Sequence, residues 1–127
     1  MHADGFRDVN YLEMRILRKM IEAAGVHSLP LMTQVREAKV QSIDKLGSIK
    51  FMIDPSLRAK FPDGPILNAQ QPDNDTVDGL GPYINFIIFA SDGLIQELQI
   101  YRDDGRDLII CIDPEKFTPV YPNSRLK

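Results

Sequence analysis

Reactive side chains are scarce in this sequence, which holds one cysteine and two histidines among 127 residues. A lone Cys111 can form no internal disulfide, so nothing points to an oxidising compartment. Between Ile110 and Ile112 it reads as a small buried hydrophobe and not as a nucleophile. His2 falls in the N-terminal segment, and His27 falls in a turn between two helical stretches, where it reads as a surface residue. Cys–His and Ser–His–Asp machinery therefore has almost no material, and no Gly-x-Ser-x-Gly turn is present. The expectation is a protein with no catalytic residues. Phosphate loops are missing as well, because Gly79 and Gly81 run into Pro82, which weakens any helix-based anion cradle. Asp73, Asp75 and Asp78 depart from calcium-loop spacing, and Ile84 stands where a closing glutamate would fall, so no metal site and no cofactor is expected. No apolar run approaches a membrane span, and "MHADGFRDVN" has neither the basic nor the apolar segment of a secretory signal. The expected location is the cytoplasm, with no membrane partner.

What is present belongs to an ordinary globular domain: 43% hydrophobic and 26% charged residues, enough to bury a core unaided. The expectation is one domain over residues 1–127, with a flexible arm at 1–9 and a surface tail at 118–127. The net charge of −3 is unevenly spread. Residues 1–62 carry ten Lys/Arg and seven Asp/Glu, a balance of +3, and residues 63–127 carry five and eleven, a balance of −6. An acidic half repels nucleic acid and suits a basic protein partner, although a solvated acidic face accounts for the same count.

Asn10-Tyr11-Leu12-Glu13 has capping-box spacing and predicts a helix start. Met14, Leu17, Ile21 and Ala24 then recur at helical spacing until Gly25. Ser28 is expected to cap a second helix with Leu31, Met32 and Val35 on its buried stripe. Short strands follow around residues 39–43 and 48–53, joined by a turn at Asp44–Gly47. A proline-rich loop leads to a strand near Ile66–Gln70. "DLIICI" over residues 107–112 reads as a last strand, and Asp113–Lys116 as one helical turn. The expected fold class is α+β: two N-terminal helices packed on one face of an antiparallel sheet of about five strands.

Between Tyr83 and Tyr101 two alternating strands flank Ser91-Asp92-Gly93. A three-residue loop pairs Ala90 with Leu94, Phe86 with Leu98 and Ile84 with Ile100, gathering the apolar residues on one face. The other face then carries Tyr83, Asn85, Ile87 and Phe89 beside Ile95, Glu97, Gln99 and Tyr101, half apolar and half polar. After it comes a turn rich in Asp103, Asp104 and Asp107, which reads as solvated.

The stretches Arg36–Phe51 and Val77–Gly105, with Gly47-Ser48-Ile49 and the run Asp92, Gly93, Ile95, Glu97, Leu98, Ile100, Tyr101, resemble small bacterial immunity proteins. These are encoded beside polymorphic toxins, including those of contact-dependent growth inhibition. The resemblance implies a cytoplasmic, non-enzymatic protein that binds a cognate toxin, often a nuclease with a basic surface, and carries no catalytic residue over. It makes the second face the partner surface, with Tyr83, Phe89 and Tyr101 as anchors, Asn85 and Gln99 between them, and Glu97, Asp103 and Asp104 on the rim. Two other readings stay open: a structural module that forms a homodimer, and a small metal- or ligand-binding domain.

Overall fold

A computed structural model, which describes residues 5–73, 82–108, 111–118 and 120–122, starts its helical segment at the expected capping box. The Glu13 amide donates to Asn10 Oδ1 at 2.8 Å, and the Asn10 amide donates to Glu13 Oε1 at 2.9 Å. Helix α1 spans Tyr11–Ile21, a 3-10 segment continues over Glu22–His27, and α2 spans Ser28–Glu37. Gly25, expected to end the first helix, bends it instead: its φ of 59° and ψ of −121° kink a backbone that stays helical on both sides. Ser28 is not the cap of α2. His27 holds that position without a side-chain bond, and the Ser28 hydroxyl donates to Gly25 O at 2.8 Å.

Among the described residues there are seven strands, β1 (Arg7–Asp8), β2 (Lys39–Ser42), β3 (Ile49–Met52), β4 (Gly64–Pro72), β5 (Tyr83–Ser91), β6 (Leu94–Arg102) and β7 (Val120–Pro122). They form one antiparallel sheet in the order β1-β2-β3-β6-β5-β4-β7. The α+β class holds, but the count of about five strands does not. Part of the supposed arm and part of the supposed tail each add a short edge strand, through pairings of Arg7 with Val40 and of Ala69 with Val120. Local sequence could not show this, because a two- or three-residue strand exists only through its neighbour.

Asp107, Leu108, Cys111 and Ile112 belong to no strand, and residues 109–110 lie outside the described set. The buried Gln71 amide takes the backbone groups a strand would have used. Its Nε2 donates to Cys111 O at 3.0 Å, and its Oε1 accepts from the Asp113 amide at 2.8 Å. Cys111 is consequently exposed, contrary to its apolar flanks. Past it, Asp113 caps a 3-10 turn at Pro114–Lys116, as expected, and Phe117 packs on Phe86 with centroids 4.4 Å apart.

The β5–β6 turn has two residues, not three. Asp92 (φ 54°) and Gly93 (φ 74°) are both left-handed, which closes Ser91 on Leu94 and Ala90 on Ile95. A bulge at Gln96 then shifts the register, so that Phe89 faces Glu97, Ile88 faces Leu98 and Phe86 faces Ile100. Residue for residue this is two positions from the expected pairing, yet the faces are the same. A one-residue slip would have turned one strand over and exposed either Ile84, Phe86 and Ile88 or Leu98 and Ile100, all buried, at about 1.5–3 kcal/mol each. Next to the turn the bulge changes the sides: Ile95 replaces Leu94 opposite Ala90 and enters the core, where it is 1% exposed, and Leu94 now pairs with Ser91.

Candidate functional site

Sheet residues alternate between a face packed under the helices and an outer face. Inward go Val40, Ile49, Phe51, Leu67, Ala69, Ile84, Phe86, Ile88, Leu98 and Ile100, in one core with Leu17, Met20, Leu31 and Val35 of the helices. Among the described residues no helix covers the outer face. Register places its side chains in rows across the strands. Lys50, Glu97 and Phe89 form one row, Gln99, Ile87 and Asn68 a second, and Tyr101, Asn85 and Gln70 a third. Tyr83 sits beyond them, opposite Pro72. Phe89, Ile87 and Tyr83 are half-buried, whereas Met52 and Tyr101 are 42% and 39% exposed. An aromatic and aliphatic strip therefore runs along β5 and β6 with polar groups on both sides.

The third row is tied to Asp103, just beyond the end of β6. Gln70 Nε2 donates to Asn85 Oδ1 at 2.9 Å, and Asn85 Nδ2 donates to Asp103 Oδ1 at 2.6 Å. The other carboxylate oxygen accepts from the Tyr83 amide at 3.1 Å, while the Asp103 amide donates to Tyr83 O at 3.0 Å. This network explains why Asn85 is only 8% exposed on an otherwise open face.

Asp104 behaves differently. Arg102 lies on the helix side, paired with Ile84 and 6% exposed, and its Nη1 donates to Asp104 Oδ2 at 2.6 Å. Its Nε is 2.9 Å from Oδ2 of the fully buried Asp73, an ion-pair contact not aligned as a hydrogen bond. The Arg106 amide holds the Asp104 carboxyl below the usual carboxylate range against the opposing effect of burial, and the charges of Arg102 and Arg106 add to the lowering. Of the eight expected partner residues, the structure thus gathers Tyr83, Asn85, Phe89, Glu97, Gln99, Tyr101 and Asp103 on or beside one face. It gives Asp104 to Arg102.

Ile87, Gln70, Lys50 and Met52 belong to the same face and were not among the expected partner residues. Alternation within each strand signals their common side. That β3 lies against β6, and hence that Lys50 and Met52 join this surface, is a long-range pairing with no local signature.

The acidic excess of the second half does not collect here. Asp113, Asp107 and Asp92 pair with Arg15, Lys45 and Arg58 of the first half, at 3.6, 2.9 and 2.8 Å. Negative charge on the face comes from Glu97, opposite Lys50, and from Asp103. Among the described residues there is no group of three His, Cys, Asp or Glu that could hold a metal ion, and no helix long and apolar enough to cross a membrane. The Asp75 and Asp78 part of the acidic run weighed as a calcium loop lies outside the described residues. A cleft of about 300 Å³ between α1 and α2, lined by Arg18, Ile21, Glu22, Ser28, Met32 and Arg36, is open and shallow.

No protein-family model, curated protein or solved structure matches the chain significantly.

Proposed function

We propose that this chain is a binding protein, with no reaction of its own, that grips another polypeptide on the outer face of its sheet. In keeping with the resemblance, the polypeptide is a toxin domain that the chain neutralises in the cytoplasm by stoichiometric binding. One observation carries the reading: an aromatic and aliphatic strip of Phe89, Ile87, Tyr83 and Tyr101 lies on a sheet face that no helix covers among the described residues, with ordered polar side chains beside it. A strip of this kind supplies the desolvated centre of an interface, and its polar margin supplies orientation. A stable complex of ordinary size buries about 1,600 Å² in total, and an anchored sheet face is a natural place for half of it.

The test is protection. Cells expressing the chain together with the toxin encoded beside it should survive, and Phe89→Ala combined with Tyr101→Ala should abolish survival without unfolding the protein. Equal killing with and without the intact chain would remove the reading. A concentration-dependent dimer that occupies the same face, seen by light scattering and lost in Tyr101→Glu, would replace the toxin with a second copy.

A further inference from the structure

The end of the strip at Tyr83 and Tyr101 holds a carboxylate ordered more tightly than an exposed aspartate requires. Asp103 is exposed, yet both of its oxygens are already oriented, one by Asn85 Nδ2 at 2.6 Å and the other by the Tyr83 amide at 3.1 Å. Asn85 is itself held by Gln70. The backbone is fixed too, because the Asp103 amide bonds Tyr83 O, and the neighbouring Arg102 is locked inward between Asp73 and Asp104. Each carboxylate oxygen can accept a second hydrogen bond. Tyr101, cross-strand from Asn85, and Tyr83 are the nearest aromatic positions on this side of the sheet.

We propose that Asp103, framed by Tyr83 and Tyr101, is a preformed receptor for one arginine side chain of the bound polypeptide. This inference rests on the sheet face being the binding surface, and it names the chemistry that the face reads. A guanidinium is planar and offers two parallel N–H groups, which match the remaining acceptor positions of one carboxylate. Its face stacks on tyrosine rings, which a compact ammonium does less well. Because the carboxylate is ordered before the partner arrives, little conformational freedom is lost on docking. Glu97 is opposite Lys50 and has no comparable support on its oxygens among the described residues, so it does not compete for this role.

The inference is tested by titrating the full-length chain with N-acetyl-arginine amide and following backbone amide signals by NMR. Saturable shifts should concentrate at Tyr83, Asn85, Tyr101 and Asp103. The neutral isostere N-acetyl-citrulline amide should leave these signals in place. In Asp103→Asn the apparent affinity should fall about tenfold or more. Tyr101→Leu, which keeps apolar bulk and removes the ring, should weaken binding without abolishing it. Shifts spread over the whole surface, equal shifts with the citrulline compound, an unchanged response in Asp103→Asn, or no response at all would each overturn the arginine receptor. Those outcomes are separable from failure of the broader reading: protection that still depends on Phe89 would leave the binding face standing without this receptor.

Discussion

Gln34 carries an unusual share of the fold for one polar side chain. It is fully buried on α2, donates to Leu57 O at 3.0 Å and Gly93 O at 2.8 Å, and accepts from the Ile95 amide at 2.9 Å. Those groups sit at the turn and bulge where the ladder cannot satisfy them, so the amide joins helix, loop and hairpin tip. Gln34→Ala should lower unfolding free energy by about 2–3 kcal/mol, measured by urea denaturation, because the Ile95 amide and Leu57 O lose this partner together while Gly93 O keeps the Ala59 amide. Glu13 is the second residue of this kind. Burial alone pushes its carboxyl up, but two bonds from Arg7 at 2.7 and 2.8 Å, the Asn10 amide and the charge of Arg7 outweigh it and hold the carboxyl below the usual glutamate range. A carboxyl lowered on folding stabilises above its unfolded pKa, and the contribution is lost as pH falls through the lower folded value. The stability gap between the native chain and Glu13→Gln should therefore be full near neutrality and close on acidification, in unfolding curves across that range. The Glu13 signal was partly legible, since the capping box announced it, but Arg7 was hidden in an apparent arm.

At the scale of elements, the β5–β6 hairpin shows what turn chemistry decides. Asp92-Gly93 supplies two successive left-handed residues, and Gly93 is also wedged against the 55–63 loop. A Cβ on Gly93 would fall 2.2 Å from Ala59 O and 2.5 Å from Arg58 Cγ, while Gly93 O accepts from the Ala59 amide at 2.9 Å. Gly93→Ala should cost about 2 kcal/mol or more and broaden the hairpin amide signals, because both backbone angle and space oppose it. Asp92→Asn should be mild, within about 1 kcal/mol, since Asn tolerates the same angles and the Arg58 pair it loses is exposed. Alternation in the sequence carried the faces of β5 and β6 correctly, as burial of Phe86, Ile88 and Ile100 demands. The bulge at Gln96 escaped, because the side chain that takes the Ile95 amide there, Gln34, comes from α2.

Across the whole molecule, the charge asymmetry of the sequence becomes an attraction between its halves. Arg15–Asp113, Lys45–Asp107 and Arg58–Asp92 each join a first-half base to a second-half acid. All three are exposed, so neutralising any one should change stability by less than about 1 kcal/mol and less still in high salt. Arg102 is the contrast. It is buried against Asp73 and Asp104, and Arg102→Met should cost about 3–5 kcal/mol by chemical denaturation, because it removes the cation beside a fully buried carboxylate.

From its sequence alone this chain was bound to be a helix-plus-antiparallel-sheet domain with a capped N-terminal helix and an Asp-Gly hairpin of one apolar and one mixed face. Those features follow from hydrophobic period, capping and turn residues, which act over a few positions. Only the tertiary structure decided that β3 lies beside β6, that Arg7–Asp8 and Val120–Pro122 supply the edge strands, that Cys111 is outside and that Gln34 and Gln71 bond backbone groups far away in sequence. It also set Asp103 beside the outer face, bonded to Asn85, and Asp104 against Arg102. Each of these depends on groups distant in sequence meeting in space, and the free energy that selects them exists only once the sheet has formed.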